Sequence, residues 1–253
     1  MVAGTSGESA TLRGNEYEEL IRFSVREVNH RMKVIAGIGS NNTALALRKA
    51  EDAKFLGADA VLMLPPYYNK TNHNGIIEHF SYVADRVNIP MILYNVPSRT
   101  VIGIDADFYK ILSEHPNING VKEASSDISL VSKIRTGCGD MLNIWSGNDD
   151  NTIAMMAMGA KGVISVASNI IPAVVSKICS LCGENNFVAA TELFGKYSDL
   201  VSALFIETNP IPIKTAMKLL GSDSGEMRLP LTNMAEENLL TLRSKMRDAG
   251  LNV

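Results

Sequence analysis

Cysteine is scarce in this chain: Cys138, Cys179 and Cys182 are the only thiols in 253 residues. Three thiols cannot supply a disulfide framework for a chain of this size. Cys179-Ser180-Leu181-Cys182 has C-x-x-C spacing, but it closes an apolar helical stretch and no second ligand pair accompanies it. Core or surface thiols are therefore expected in preference to a redox or zinc site. Neither sign of charge dominates, with 24 basic against 27 acidic residues and a net charge of −3. That balance argues against a nucleic-acid or anionic-membrane surface. No run reaches the ~18 uncharged apolar residues that a membrane helix needs, and no charged-then-apolar leader precedes Gly4. With 46% hydrophobic and 20% charged residues there is also no signature of disorder. The expectation is a cytoplasmic globular protein whose partners are small molecules or copies of itself.

What is present is a regular beat. Apolar, β-branched runs are read as strands at Lys33 to Gly39, Ala60 to Leu64, Met91 to Asn95, Asn119 to Ala124, Leu142 to Ser146 and Gly162 to Ala167. Amphipathic helical patterns follow each one, from Thr43 to about Leu56, Asn74 to about Val87, Asp105 to Glu114, Asp127 to Arg135, Asp149 to Met158 and Pro172 to about Cys182. Asn41 or Asn42 and Asn74 are cap candidates, and Gly57 is a stop signal. Near-continuous hydrophobic strands separated by helices imply a parallel sheet covered on both faces. Gly37-Ile38-Gly39 lacks the third glycine of a dinucleotide fingerprint. Polar, reactive side chains recur instead at the C-terminal ends of several strands, where barrel enzymes gather their chemistry.

The predicted fold class is therefore α/β, a (β/α)8 TIM barrel. Residues 1–184 would form the barrel and residues 185–253 a C-terminal helical region, with patterns near Phe187 to Phe205, Ile211 to Leu220 and Thr232 to Asp248. A further helix is expected from Asn15 to Val28. Met1-Val2-Ala3 reads as the end of a strand, so the barrel is expected to lack its first strand and helix in this chain.

Lys122 is a candidate nucleophile. It is a solitary ammonium in the apolar run Ile118 to Ala124. A strand lysine in a dry enclosure loses hydration, its pKa falls, and the neutral amine that attacks a ketone becomes populated. The alternative is a strand-end lysine paired with Glu123 or reaching solvent. Gly4-Thr5-Ser6-Gly7-Glu8-Ser9 offers converging amides and two hydroxyls before a helix, suited to a carboxylate or to a tight βα turn. Tyr94 ends a strand, and Arg99 a few residues on can grip a second carboxylate as a fork.

These segments are similar to the dihydrodipicolinate synthase family of class I aldolases, which also includes N-acetylneuraminate lyase. The matching stretches are Gly4 to Glu8, Leu64 to Asn69, Tyr94 to Thr100, Gly120 to Ala124, Ser146 to Asp149, Gly162 to Val166 and Asn209 to Lys214, in family order. The resemblance implies that Lys122 forms an imine with pyruvate and that Thr5 and Ser6 hold its carboxylate. It makes Tyr94 the acid/base, linked through Thr5 to Tyr68, which reaches in from a neighbouring subunit. Arg99 would bind the carboxylate of L-aspartate 4-semialdehyde, and the backbone at Gly147 and Ile164 would shape the pocket. The implied reaction is condensation of the two substrates to 4-hydroxy-tetrahydrodipicolinate, in lysine and diaminopimelate biosynthesis, with no metal and no organic cofactor. A homotetramer built as a dimer of dimers is implied too. Another pyruvate-dependent aldolase, or a catalytically silent homologue, is the alternative. Ser6 stands where threonine is usual, which keeps the hydroxyl. Lysine-inhibited relatives bind the effector near positions matching Ser9, Ala10, Asn41 and Tyr67. Gly14, Tyr17 and Leu45 replace the histidines and glutamate of sensitive members, so weak or absent inhibition by lysine is expected.

Overall fold

A computed structural model describes residues 1–253. Strands and helices alternate as α1 (Gly14–Val28), β1 (Ile35–Gly37), α2 (Thr43–Phe55), β2 (Ala60–Met63), α3 (His73–Arg86), β3 (Met91–Asn95), α4 (Pro97–Thr100) and α5 (Ala106–Leu112). They continue as β4 (Ile118–Glu123), α6 (Ser129–Cys138), β5 (Asn143–Ser146), α7 (Thr152–Ala157) and α8 (Pro172–Gly183). The remainder is helical: α9 (Phe187–Gly195), α10 (Ser198–Ala203), α11 (Ile211–Leu219) and α12 (Glu236–Asp248).

The strands lie side by side in sequence order, β1-β2-β3-β4-β5, and every pairing is parallel. Parallel bridges extend the row at both ends, Val2 with Ala36 and Ser146 with Val163. A doubly wound sheet reverses its strand order at a switch point. This sheet has no reversal, and its helix-covered strands follow one another as in a TIM barrel. Gly37 permits the first approach: a Cβ there would lie 2.1 Å from the carbonyl oxygen of Ala3.

Alternate strand residues face opposite ways. Val61, Met63, Met91, Leu93, Val121 and Ile144 join the main cluster of 33 buried residues between sheet and helices. Leu62, Ile92 and Tyr94 pack with Val96 and Ala124 on the inner face. A third cluster ties Val166, Ala167 and Ile171 to Leu200, Ile213, Leu242 and Met246. No helix is long and apolar enough to cross a membrane.

Local chemistry moves several boundaries from those expected. The cap of α3 is Asn72, which accepts the amide of Gly75, so Asn74 lies inside the helix. Asn42 caps α2 through the amides of Ala44 and Leu45, and Gly57 follows at φ +91°. The pattern from Phe187 to Phe205 divides into α9 and α10, because Lys196 and Tyr197 turn through tight bonds to Leu193 and Phe194. Residue Ala235 is extended, its amide held 2.9 Å from Glu207, which delays α12 to Glu236. The sixth expected strand, Gly162 to Ala167, reaches the sheet only through its bridge at Val163. Asp149 takes the amides of Val166 and Ala167 at 2.9 and 3.2 Å, donors that a longer ladder would have used.

Candidate active site

Lys122 sits inside the row of strands, 8% exposed, opposite Tyr94 in the β3–β4 register. Its Nζ lies 4.3 Å from the centre of the Tyr94 ring. Burial lowers its pKa to about 8; Asp149 opposes the fall and Arg99 adds to it. At pH 7 roughly a tenth of such an amine is neutral, against about one part in 3,000 for an ordinary lysine. Glu123 is not its partner, because the next strand residue points to the other face and no ion pair joins the two. Burial also raises the pKa of the Tyr94 phenol, with Arg99 and the Thr5 hydroxyl pulling against it.

These groups border a cavity of about 890 Å³ that also takes in Thr5, Ser6, Arg99, Gly147 and Ile164. Ser6 reaches it from the turn after the Val2 bridge and exchanges hydrogen bonds with the Asn209 side chain, at 3.2 Å to Oδ1 and 3.1 Å from Nδ2. Arg99, at the end of α4, donates to the Asn209 carbonyl at 3.0 Å. Gly147 follows β5, where a Cβ would come within 2.5 Å of the Ala124 Cβ and 3.1 Å of the Lys122 Cε. Any side chain there would collide with Ala124 and crowd the Lys122 stem. The amide of Ile164 donates to the Ser146 carbonyl at 2.9 Å, which holds the segment beyond the bridge against the cavity.

Tyr68 is not brought to this cavity within its own chain. It is 89% exposed, at φ +68° on the loop after β2. Ser9, Ala10 and Tyr67 border a second cavity of about 760 Å³ that shares Thr5, Tyr94 and Arg99 with the first and includes Gly14, Tyr17 and Leu45. Asn41 lies beside it, its carbonyl accepting the Asn69 side chain at 2.9 Å.

Two residues at the site were not singled out from the sequence. Asn209 joins Ser6 to Arg99 from the far end of the chain, and Asp149 is buried with its carboxylate on the Val166 and Ala167 amides, near enough to Lys122 to favour its charged form. Both lie in the motif segments Asn209 to Lys214 and Ser146 to Asp149, which was the only signal available.

A buried amine at the rim of parallel strands, with a phenol against it and hydroxyls and an arginine around one cavity, defines a barrel enzyme of the imine-forming type. Residues 1–249 match the model of the dihydrodipicolinate synthetase family, and the chain belongs to that family of lyases. It is 45% identical over 251 residues to 4-hydroxy-tetrahydrodipicolinate synthase 1 of Clostridium acetobutylicum, covering 99% of this chain and 86% of that protein. The dihydrodipicolinate synthase structure from Aquifex aeolicus superposes with a TM-score of 0.97 at 45% identity, over 99% of this chain and 86% of that one. The Acinetobacter baumannii enzyme, solved in complex with pyruvate, gives a TM-score of 0.97 at 38% identity with the same coverage, 99% and 86%.

Proposed function

We propose that this chain condenses pyruvate with L-aspartate 4-semialdehyde to give 4-hydroxy-tetrahydrodipicolinate. The observation that carries the reading is the Lys122 amine, buried, with a pKa lowered to about 8 and 4.3 Å from the Tyr94 ring. The neutral amine adds to the keto carbon of pyruvate, and water leaves as the imine forms. The protonated imine draws electrons from the adjacent methyl, which loses a proton to give the enamine. That carbon attacks the aldehyde of the second substrate, making the carbon–carbon bond. The amino group of the same substrate then adds to the imine carbon, and Lys122 departs as the ring closes. Tyr94 shuttles the protons, and because a phenol's ordinary pKa is near ~10 it needs the hydroxyl relay of Thr5 and Tyr68.

Thr5 and Ser6 receive the pyruvate carboxylate, and Arg99 receives that of the semialdehyde. The backbone at Gly147 and Ile164 gives the cavity its shape. Tyr68 enters from a second copy of the chain, within a tetramer built as a dimer of dimers; its exposure and its separation from its own cavity support that part of the reading. Ser9, Ala10, Asn41 and Tyr67 belong to an effector site with little or no response to lysine, since Leu45 offers no anion to an ammonium. Residues 1–184 serve as the barrel and residues 185–253 as its helical extension, a division supported by the run of helices α9 to α12.

Borohydride reduction in the presence of pyruvate should leave a pyruvyl adduct on Lys122, read by peptide mass. Lys122→Ala should remove both the adduct and turnover of the semialdehyde. Undiminished turnover in that variant defeats the proposal, and cleavage of a sialic acid in place of the condensation would reassign the substrate.

A further inference from the structure

Glu123 follows Lys122 on β4 and takes part in none of the steps above. Strand alternation turns its side chain away from the cavity into the layer beneath the helices, where it is 2% exposed. Oε2 accepts from Asn95 Nδ2 at 2.9 Å and from the Tyr109 hydroxyl at 3.1 Å, while Oε1 accepts the Ser125 amide at 2.6 Å. Asn95 is itself pinned, accepting the Ile104 amide at 2.9 Å and donating to the Ile104 carbonyl at 3.1 Å. No cation forms an ion pair with Glu123. Burial pushes its pKa up and these donors pull against it.

A buried carboxylate without a cation is costly, and a well-packed apolar side chain would relieve the fold of it. Its position supplies a reason for keeping it. Asn95 and Glu123 are register partners on β3 and β4, directly beyond the pair Tyr94 and Lys122. The same two strands carry a register shift between Met91 and Ile92, so their backbone bonds do not keep one register along the whole length. The Asn95–Glu123 tie fixes it at the end where the chemistry sits. The Glu123 carbonyl also accepts the Gly147 amide at 2.7 Å, which draws the turn after β5 into the same frame.

We infer that Glu123 is a positioning residue: held by Asn95, Tyr109 and Ser125, it fixes the Tyr94 phenol against the Lys122 amine. The inference rests on the roles proposed for those two residues. It is tested by the rate at which the pyruvyl adduct on Lys122 forms in the full chain, in the parent, Tyr94→Phe, Glu123→Gln and the double variant, with thermal melts alongside. If Glu123 acts through the phenol, Glu123→Gln slows the adduct about tenfold or more with Tyr94 present, and less than about twofold in the Tyr94→Phe background. An equal loss in both backgrounds marks a merely structural residue and overturns the inference, as does a loss under about twofold in the parent. Should Glu123→Gln fail to fold, Tyr109→Phe replaces it in the same cycle. That variant removes one donor, so about a threefold loss is expected with Tyr94 and none without it; equal losses overturn the inference again. Absence of any adduct in the parent chain would instead sink the underlying reading of Lys122.

Discussion

Lys122 weakens the fold that holds it. Desolvation brings its pKa from 10.5 to about 8, which corresponds to about 3 kcal/mol of destabilisation. Below pH 8 the folded and unfolded chains both carry the proton, so the penalty is full. Between pH 8 and 10.5 the unfolded chain keeps a proton that the folded chain has released, and stability rises with pH. Lys122→Met should therefore raise the stability measured by urea unfolding at pH 7, by up to about 3 kcal/mol, while ending turnover. The advantage should shrink as the pH passes from 8 to 10.5. Equal stability of parent and variant at pH 7 would refute the burial argument. The lysine was legible through the motifs around it, since on its own a strand lysine reads equally as one paired with Glu123 or reaching solvent. Asn209 was not, since its partners Ser6 and Arg99 are 203 and 110 residues away in sequence and nothing local marks the contact.

Among the elements, β1 to β5 and the helices after them were legible from the change of period between apolar runs and amphipathic stretches. Apart from the backbone turn that divides α9 from α10, departures came where one side chain claimed a backbone donor. Asp149, expected to open a helix, spends its carboxylate on Val166 and Ala167, so α7 waits until Thr152 and the segment beyond Val163 turns away from the ladder. The turn after β5 shows how little freedom remains at the active end of a strand. Gly147 donates to the Glu123 carbonyl at 2.7 Å, and a methyl group there would sit 2.5 Å from the Ala124 Cβ and 3.1 Å from the Lys122 Cε. The Ala124 Cβ is fixed to its backbone, so the 2.5 Å overlap is relieved only by a shift of the turn, which moves the cavity wall beside Lys122. Gly147→Ala should slow formation of the pyruvyl adduct about a hundredfold, the effect of a misplacement near 1 Å, and should also lower the melting temperature, since the turn must give way. An adduct rate within about twofold of the parent would show that the cavity yields more easily than its packing implies.

On the scale of the whole molecule, the turn that carries Thr5 and Ser6 is anchored from the opposite end of the chain. Glu8 accepts Lys214 Nζ at 2.6 Å on one oxygen and the Arg228 amide at 2.9 Å on the other. Arg228 adds a fork onto Glu16 at 2.6 and 2.8 Å. The Glu8 and Lys214 side chains are only 10% and 17% exposed, so water screens the pair little. Burial pushes the Glu8 carboxyl pKa up, but Lys214 and Arg228 outweigh it and hold the group below its ordinary value. A carboxyl so depressed contributes stability above its unfolded pKa, near ~4.3, and loses it as the pH falls toward the folded value. Lys214→Met leaves that carboxylate buried with the Arg228 amide alone and should cost about 3 kcal/mol at pH 7. The difference from the parent should narrow as the pH falls below about 4, where protonation removes the unpaired charge. Because the loosened turn presents the two hydroxyls, KM for pyruvate should rise more than kcat falls, whereas a general loss of folded protein would lower the apparent kcat alone. Coincident denaturation curves of parent and variant at pH 7, with unchanged KM, would show that the C-terminal helices do not brace the substrate turn.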